Sequence, residues 1–385
     1  MTPMIGEEQL RQRTRELIEK NRGCAQVAFL DAQFLAGLAW VHFPEGCGGL
    51  GLPPKLQEPV NEELEASGRR YPWLRNPMGI GMVAPTIAAH GTAEQRGYLR
   101  RIFTAEELWC QLFSEPGAGS DVATLSTRAV QDGDEWIVDG QKVWTSLAYA
   151  ASYGLLLART DPNVPKHNGL TMFIVDMHAP GVEVRPLRQM SGDAHFSEVY
   201  FTRARVPDAA RVGDVGDGWR VAVTTLMNER VSIGGSVEPR GTGPIAAAVS
   251  AWQESGCDDA VRRDQLLRLW TEAEVLRLGN IRAQQVREKG TPGPEGSVLK
   301  LGGALLGQRI ASFTVDLLGL SATLYDYGDT SERGVAYALL QTQSSTIAGG
   351  TSEIMRNILG ERVLGLPGEP RADKGLPWSQ IPKGV

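Results

Sequence analysis

The stretch STRAVQDGDEWIVDGQKVW, residues 126–144, decides the fold. Short runs of β-forming residues flank two Asp-Gly pairs, Asp132-Gly133 and Asp139-Gly140, and such pairs predict tight hairpin turns. Further β-forming runs follow up to about residue 212, with no helical pattern between them. Successive strands without intervening helices favour an antiparallel sandwich or barrel over the βαβ units of a Rossmann fold. No Gly-x-Gly-x-x-Gly motif follows any of these runs, which also argues against a Rossmann fold.

Helical patterns occupy both flanks of this β-rich region. In the first flank, Thr92 and Gln95 have the spacing of a capping box. We predict an α+β multidomain chain with an N-terminal α-helical domain (1–107), a middle antiparallel β-domain (108–212) and a C-terminal four-helix bundle (213–385). The predicted C-terminal helices cover residues 217–234, 258–289, 296–320 and 332–347, and a further run begins near Thr351.

Composition excludes several classes of protein. The 385 residues carry a formal net charge of −6, which gives no basic surface for nucleic acid or an anionic membrane. The four cysteines lie far apart and lack metal-ligand spacing, so we expect a reduced cytoplasm and neither disulfides nor a metal site. The N-terminus lacks the apolar core of a signal peptide, and no apolar run reaches the ~18–20 residues that span a bilayer. We therefore expect a cytoplasmic protein without nucleic-acid or membrane partners.

The stretch WCQLFSEPGAGSD, residues 109–121, indicates a strand that runs into a Gly/Ser loop. Its glycines allow close approach of the backbone to a ligand, and Ser114 and Ser120 offer hydroxyls to a ring edge or a phosphate. In GQKVWTS, residues 140–146, an indole at a strand end could stack on a planar cofactor. Taken alone, the first stretch is more typical of a sheet-edge turn, and the second of a core aromatic residue.

The stretch STIAGGTSEIMRN, residues 345–357, has the form of a helix start exposed to a ligand. Two glycines and a Thr-Ser pair precede an apolar helical run, and N–H groups at a helix start attract anionic or acceptor atoms. The two glycine positions supply no carboxylate, imidazole or thiol group. If this loop belongs to an active site, the residue that transfers protons must therefore lie elsewhere in the chain.

Together these stretches resemble the acyl-CoA dehydrogenase family, in the family's order and over nearly the whole chain. PEGCGGLGLP is similar to its N-terminal loop, FSEPGAGSD to its flavin-binding motif, GQKVWTS to its Gly-x-Lys-x-Trp motif, and GGTSEIMRNILGERVLGLP to its C-terminal signature. The resemblance implies bound FAD and dehydrogenation of an acyl-CoA thioester to the trans-2-enoyl-CoA. It also implies an electron-transferring flavoprotein as acceptor and a homo- or heterotetramer.

The resemblance also implies roles for individual residues. The backbone at Phe113 and the hydroxyl of Ser114 face the flavin ring, Trp144 packs against it, and Ser146 lies near its reactive edge. Ser120 lies near the FAD phosphate or the CoA chain. The full set of implied FAD-binding residues is Gln111, Phe113, Ser114, Gly119, Ser120, Trp144, Ser146, Thr351 and Glu353. Ser120 and Arg230 are the implied substrate-binding residues.

The C-terminal signature of this chain lacks the carboxylate that acts as the catalytic base in many family members. Many family members carry Tyr-Glu-Gly-Thr in the C-terminal signature, and that Glu removes the α-proton of the thioester. This chain has Ala-Gly-Gly-Thr, so Gly349 stands where the carboxylate would be. A subset of the family, including the isovaleryl-CoA and long-chain types, places the base just before the Arg of an earlier helix. Glu229 matches that position, with Arg230 beside it.

Helical spacing supports this second position. Glu229 continues an apolar stripe of Trp219, Ala222 and Leu226, although a helical Glu-Arg pair is usually a solvated one. We expect Glu229 to be the base, because a partly desolvated carboxylate has a raised proton affinity. Gly349 would act through its backbone N–H, which in the family helps to hold the thioester carbonyl.

Some features depart from the family. The Arg-x-x-Phe-Gly stretch that reaches FAD across a subunit interface is absent, and its region holds only Arg262 and Arg263. Pro239 and Pro244 fall where a family helix normally continues, so we expect a break there. Two alternatives stay open. One is a flavin oxidase or monooxygenase of the same superfamily, and the other is a non-catalytic subunit that completes the FAD site of a heteromeric dehydrogenase.

Overall fold

The structure is a computed structural model that describes residues 5–233, 239–289, 294–325, 334–371 and 373–382, without the side chains of 229–233 and 287–289. The chain forms two compact units. The first, called the sheet unit here, contains residues 1–187, 195–228 and 371–385. The second, the bundle unit, contains residues 188–194 and 229–370. The three domain boundaries stated above stay a prediction.

The sheet unit begins with short helices: α1 Glu7–Lys20, α2 Gln26–Leu35, α3 Gln57–Ala66, α4 Ala84–His90, α5 Ala93–Arg96 and α6 Tyr98–Thr104. The capping box at α5 is confirmed, because Thr92 Oγ1 accepts from the N–H of Gln95 at 3.2 Å and Gln95 Oε1 accepts from the N–H of Thr92 at 3.1 Å. Between α2 and α3, the PEGCGGLGLP loop has no helix or strand, as its glycines and prolines predict.

The strands are β1 Trp109–Leu112, β2 Arg128–Asp132, β3 Glu135–Ser146, β4 Tyr153–Arg159, β5 Leu170–Asp176, β6 Val182–Leu187, β7 Phe196–Pro207 and β8 Arg211–Val212. They form one sheet in the order β6-β7-β3-β2-β4-β5-β8, with β1 paired to β4. Most pairs are antiparallel, as predicted, but β4 runs parallel to both β1 and β2. The sheet is therefore mixed.

The two Asp-Gly pairs have different structures. Asp132 pairs with Glu135, so Gly133 and Asp134 form the predicted two-residue turn between β2 and β3. The hairpin predicted at Asp139-Gly140 is wrong, because β3 continues through it along β7 with a shift of register. Gly140 has φ +152°, and a Cβ there would lie 2.4 Å from Thr127 Oγ1. This glycine permits a β-bulge and not a chain reversal.

Apolar side chains cover both faces of the central strand β4. On one face, Leu155 and Leu157 join a core with residues of α2, α4 and α6. On the other, Leu156 packs with Phe173 of β5 and Val199 of β7. This double burial explains why β4 has a nearly continuous apolar sequence and not an alternating one.

The remaining helices are α7 Gly218–Ile233, α8 Pro244–Ser255, α9 Ala260–Lys289, α10 Glu295–Leu318, α11 Val335–Ser345 and α12 Ser352–Arg362. In the bundle unit, α10 packs against α8, α9, α11 and α12. Helix α8 is not among the helices predicted from sequence, because Pro244 by itself predicts only a break. The missing N–H of proline costs nothing at the first helical position, where Pro244 lies. No helix in the described part of the chain is both long and apolar enough to cross a membrane.

Candidate functional site

The loop after β1 begins with a tight turn. The N–H of Glu115 donates to the carbonyl of Ala118, and the reverse bond also forms, both at 3.0 Å. Gly117 and Gly119 have no left-handed φ, and a Cβ at either would meet no atom within 4 Å. Neither the backbone nor the packing therefore requires glycine here. The missing side chains leave open space beside the exposed Ser120, where a ligand could approach the backbone.

A buried ion pair lies directly behind this loop. Lys142 Nζ lies 2.8 Å from Glu115 Oε1 and donates to the carbonyl oxygen of Phe113 at 3.0 Å. The Glu115 carboxylate also accepts from the N–H groups of Ser126 at 2.6 Å and Thr127 at 2.8 Å. Lys142 is fully buried and Glu115 is nearly so. The pair ties the loop to β3 and to the chain that enters β2.

The surroundings stabilise the ionised form of Glu115 more than that of Lys142. Burial alone would raise the pKa of Glu115, but Lys142 and the two backbone donors together hold that pKa below its usual range. Burial lowers the pKa of Lys142 to about 8, with Glu115 opposing the shift and Arg159 adding to it. The carboxylate has three donors and the ammonium has one carboxylate. Loss of charge at alkaline pH therefore falls on Lys142.

Trp144 stands out from the sheet on a strained backbone. It lies at a second register shift in β3, between Lys142 and Thr145, and has φ +59°. Left-handed backbone is rare for a bulky residue and costs of order 1–3 kcal/mol, so it marks a candidate functional position. The indole is 59% exposed, and its ring makes a T-shaped contact with the ring of Phe196. This geometry offers an aromatic face to a ligand, and the core-residue interpretation of Trp144 is wrong.

Other predicted FAD-binding residues lie close to Trp144 in the sheet unit. Gln111 is half-buried in β1, two residues before the buried Phe113. The carbonyl of Ser114 accepts from the N–H of Val143 at 2.9 Å, so Ser114 lies beside the residue that precedes Trp144. Ser146 ends β3 opposite Phe196. The two flavin motifs therefore meet, although about thirty residues separate them in sequence.

The far end of the loop is held by a chain of charges. Lys166 Nζ lies 2.6 Å from a carboxylate oxygen of Asp121 and 2.5 Å from one of Asp373. Burial disfavours the ammonium, but these two carboxylates raise the pKa of Lys166. Asp373 belongs to the C-terminal segment 373–382, which lies against the sheet. The last residue of the FSEPGAGSD motif is thus tied to the end of the chain.

The same C-terminal segment carries Trp378, which covers a buried guanidinium. The Arg159 guanidinium lies 4.7 Å from the Trp378 ring centroid and donates to the carbonyls of Ala123 and Leu125. Trp378 Nε1 donates to the carbonyl of Thr124 at 3.0 Å. Three consecutive carbonyls that follow the motif are therefore held by two side chains.

In the bundle unit, the chain before α12 bends sharply through two glycines. Gly349 has φ +66° and Gly350 has φ +91°, conformations that glycine adopts readily. Thr351 caps α12, because its hydroxyl oxygen accepts from the N–H of Ile354 at 3.2 Å. Glu353 lies exposed in the first turn, where the helix start and the Thr351 hydroxyl lower its pKa. The predicted helix start is confirmed.

Lys300 of α10 lies behind this bend and donates to the carbonyl of Gly350. Partial burial lowers the pKa of Lys300, and the Glu353 carboxylate opposes that shift. The lysine therefore holds the peptide that follows Gly349. Near it, Ser352 is 4% exposed, and its buried hydroxyl has no hydrogen-bond partner among the described residues.

Glu229 and Arg230 lie within the backbone span of α7, but their side chains fall outside the described residues. On the described part of α7, Ala222 is fully buried, and Trp219 and Leu226 pack against the core of the sheet unit. The apolar stripe predicted from sequence is therefore present up to position 226. The role of Glu229 stays a prediction.

Sequence reasoning missed four charged residues that shape the site: Glu115, Lys142, Lys166 and Asp373. Glu115 and Lys142 lie inside the two quoted motifs, so a signal was available. A lysine at a core-facing position of a strand needs a buried carboxylate as its partner. Glu115, which follows Ser114 in the other motif, is a candidate for that partner. Lys166 and Asp373 lie in loops outside any motif, and no local pattern connects them.

Comparison with known proteins agrees with this geometry. The middle-domain model of the acyl-CoA dehydrogenases matches residues 110–204, and their C-terminal domain model matches residues 216–364. Acyl-CoA dehydrogenase FadE34 of Mycobacterium tuberculosis (strain H37Rv) is 42% identical over 348 residues, which are 89% of this chain and 46% of that protein. This chain thus spans about half the length of FadE34.

Two further relatives match over most of their length. Acyl-CoA dehydrogenase IpdE1 of the same organism is 38% identical over 87% of this chain and 86% of that protein. The solved structure of the Tcur3481-Tcur3483 steroid ACAD superposes with a TM-score of 0.74 and 26% identity, covering 94% of this chain and 97% of that chain. FAD is the cofactor of this family. The exposed indole, the open glycine loop and the donors at the start of that loop fit such a cofactor. The chain belongs to the acyl-CoA dehydrogenase family of FAD-dependent oxidoreductases.

Proposed function

We propose that this enzyme dehydrogenates an acyl-CoA thioester to the trans-2-enoyl-CoA, and that the acyl group carries a steroid ring system. The dehydrogenation is supported by the family and by the site around Trp144, whose strained, exposed indole is the observation that carries the proposal. The steroid class is supported by the Tcur3481-Tcur3483 relative, which is a steroid ACAD. A cytoplasmic location and an electron-transferring flavoprotein as acceptor belong to the same proposal.

The described residues supply distinct contacts for FAD. Trp144 offers its ring face, and Phe113 and Ser114 offer backbone groups and a hydroxyl. Ser146 lies at the end of the same strand, while Gly119 and Ser120 leave room for the phosphates. Gln111, Thr351 and Glu353 complete the proposed set. When bound, FAD accepts the hydrogen of the β-carbon as a hydride.

Proton removal is assigned to Glu229. Position 229 follows Ala222 by seven residues and Leu226 by three, which is the spacing of residues on one helical face. The carboxylate at this position would take the α-proton of the thioester, and a partly desolvated carboxylate has the proton affinity for this step. Arg230 would contact the substrate beside it.

The bend at Gly349 is assigned to the thioester carbonyl. A backbone N–H there would donate to the carbonyl oxygen, where negative charge develops as the α-proton leaves. Lys300 fixes the following peptide through the Gly350 carbonyl, which limits reorientation of the bend. A glycine at 349 also leaves the volume of a side chain free for a bulky acyl group.

The visible spectrum of the purified enzyme tests this function. We expect a yellow protein whose flavin absorbance is bleached anaerobically by a steroid side-chain CoA thioester and less rapidly by butyryl-CoA or palmitoyl-CoA. A protein that cannot be reconstituted with FAD, either alone or together with a partner chain, would exclude dehydrogenation. Bleaching by a straight-chain thioester alone would retain the reaction and exclude the steroid class. Rapid reoxidation of the bleached enzyme in air would instead indicate an oxidase or monooxygenase.

Assembly with a second chain is part of the proposal. Helix α9 exposes Leu267, Val275 and Leu278 on one face, at spacings of eight and three residues. Exposed apolar stripes of this kind usually mark an interface. The name of the Tcur3481-Tcur3483 relative joins two designations, so we propose a heterotetramer, with a homotetramer as the alternative.

The lack of a carboxylate at Gly349 favours one other function, a non-catalytic subunit that completes a partner's FAD site. Light scattering and flavin content of the chain expressed alone separate an independent enzyme from a chain that needs a partner. A tetramer with one flavin per chain would support an independent homotetrameric enzyme. Flavin-free protein that becomes yellow only with a partner chain would support the heteromer, and Glu229→Gln in that complex would show which chain supplies the base.

A further inference from the structure

The peptide between Phe113 and Ser114 is polarised from one side. Its carbonyl oxygen, on Phe113, accepts from the buried Lys142 ammonium at 3.0 Å. The carbonyl of the next residue, Ser114, accepts instead from the N–H of Val143. Within this stretch, a full charge therefore acts on one peptide group alone.

The other end of that peptide group is available to a ligand. The structure contains no cis peptide bond among its described residues, so the N–H of Ser114 points away from the carbonyl of Phe113 and from Lys142. No described residue accepts from this N–H, and Ser114 is only half-buried. Ser114 lies next to Val143, directly before Trp144, on the side where the flavin site is proposed.

We propose that Lys142 is a positioning residue that strengthens the Ser114 N–H as a donor to an acceptor atom of the flavin ring and thereby raises the flavin midpoint potential. This inference rests on the FAD site proposed above. An ammonium that binds the carbonyl oxygen draws electron density from the amide nitrogen, which makes the N–H a stronger donor. Reduction adds electrons to the ring, so a stronger donor stabilises the reduced form more than the oxidised form.

A purely structural role does not explain the pair well. Replacing a buried ion pair by neutral residues of similar volume is often neutral or stabilising, because desolvation offsets the attraction. The fold therefore gains little from a charged group at this place. A cation that contacts this peptide, whose N–H has no acceptor among the described residues, has an electrostatic effect that a neutral side chain cannot supply.

The test is the double variant E115Q/K142M. In the parent, the N–H groups of Ser126 and Thr127 bind different oxygens of Glu115, and the glutamine introduced at position 115 keeps one acceptor oxygen for them. The methionine introduced at position 142 is close to lysine in volume, so neither a charge nor a large cavity is left behind. We expect FAD to remain bound and the equilibrium constant for its reduction to fall about tenfold, which is about 30 mV for a two-electron couple. Redox titration with a reference dye measures this without any acyl-CoA.

The matched control is K166M/D373N, which also removes one buried lysine and one carboxylate partner near the loop but leaves the Phe113 carbonyl untouched. Its reduction constant should stay within about twofold of the parent enzyme, because no charge that acts on the Phe113–Ser114 peptide has changed. Lys142→Arg, which keeps a cation, should stay closer to the parent than E115Q/K142M does.

An unchanged potential in E115Q/K142M overturns the inference, and so does an equal fall in the control. If the double variant does not retain flavin, Lys142→Gln keeps a neutral donor and should lower the potential by a smaller amount, and no shift overturns the inference. A parent enzyme that binds no FAD contradicts the proposed function itself, which is a separate result.

Discussion

Trp144 meets Phe196 edge to face, with ring centroids 6.0 Å apart and an interplanar angle of 84°. The contact leaves more than half of the Trp144 side chain exposed. It holds the indole in place while the backbone of Trp144 stays left-handed. The enzyme thus carries an unfavourable backbone conformation to present an aromatic face, and this has a measurable consequence.

At position 144, a glycine variant should be more stable than an alanine variant, which reverses the usual order of stability in a strand. Glycine is normally the less stable residue in a strand, but at φ +59° a Cβ is penalised by about 1–2 kcal/mol. We therefore expect W144G to be more stable than W144A by about 1 kcal/mol in urea unfolding of the flavin-free protein. Both variants should retain less FAD than the parent, because the stacking surface is gone.

A control for this prediction lies three residues further on. Leu147 also has φ +59°, and its side chain is half-buried. L147G should show the same relief of backbone strain without a direct effect on flavin retention. If W144A proved as stable as W144G, or if L147G lost flavin as readily as W144A, the separation of strain from stacking would be wrong.

Stability should depend on pH through Lys142. Its pKa falls from the ordinary 10.5 to about 8 in the native state, so between these values the unfolded chain binds a proton that the native chain does not. Stability therefore rises with pH across this window. The charged groups that act on Lys142 are Glu115 and Arg159. We expect the parent to gain stability relative to E115Q/K142M between about pH 8 and 10, measured by urea unfolding, and a difference that is independent of pH would contradict the assignment.

The C-terminal segment should contribute to the stability of the sheet unit through Trp378. W378F removes the hydrogen bond to Thr124 but keeps a ring over Arg159, so we expect a loss of about 1 kcal/mol. W378A removes both contacts and should cost about 2–3 kcal/mol. Urea unfolding measures both values, and equal stabilities of the two variants would show that the ring over Arg159 contributes nothing.

Local sequence predicted the strands and one turn, but it could not predict their partners. Asp132-Gly133 forms a hairpin, because β2 and β3 pair directly with each other. Asp139-Gly140 has the same local chemistry but lies opposite β7, which starts more than fifty residues later and pairs on both sides of the bulge. The parallel pairing of β1 with β4 is also distant in sequence. Turn propensity is local, whereas these pairings are decided by tertiary contacts.

Site residues that belong to a known motif could be predicted from the sequence. Charged residues that are buried, against the usual preference of their type, could not. Trp144 and Ser114 were assigned from their motifs, and the structure brings their segments together. Lys142 occupies a core-facing position of β3, but lysine is normally exposed, so this position alone is a weak signal of its burial. Its partner Glu115 lies in a loop, and only the fold shows that the two meet.

The assignment of the base is a further prediction, and it rests on the absence of a carboxylate at Gly349. Glu229→Gln keeps the size and hydrogen-bonding capacity of the side chain but cannot take a proton. We expect it to retain FAD and bind acyl-CoA while losing on the order of 10²–10⁴-fold in the rate of flavin reduction, measured by anaerobic stopped flow. Glu229→Asp should keep part of the rate, because it retains a carboxylate. Near-normal reduction by Glu229→Gln would move the base to another residue.

Rescue from the position of the missing carboxylate is a harder test, and the backbone at Gly349 explains why. Gly349 has φ +66°, so a glutamate there must occupy left-handed backbone at a cost of about 1–2 kcal/mol. A carboxylate displaced by ~1 Å can also lose on the order of 10²-fold in rate. We therefore expect G349E in the Glu229→Gln background to restore a small fraction of the rate, while G349Q in the same background restores none. Equal rates for G349E and G349Q would show that a carboxylate at position 349 cannot reach the α-proton in this enzyme, and a full return of the parent rate would show that the bend accepts a side chain without strain.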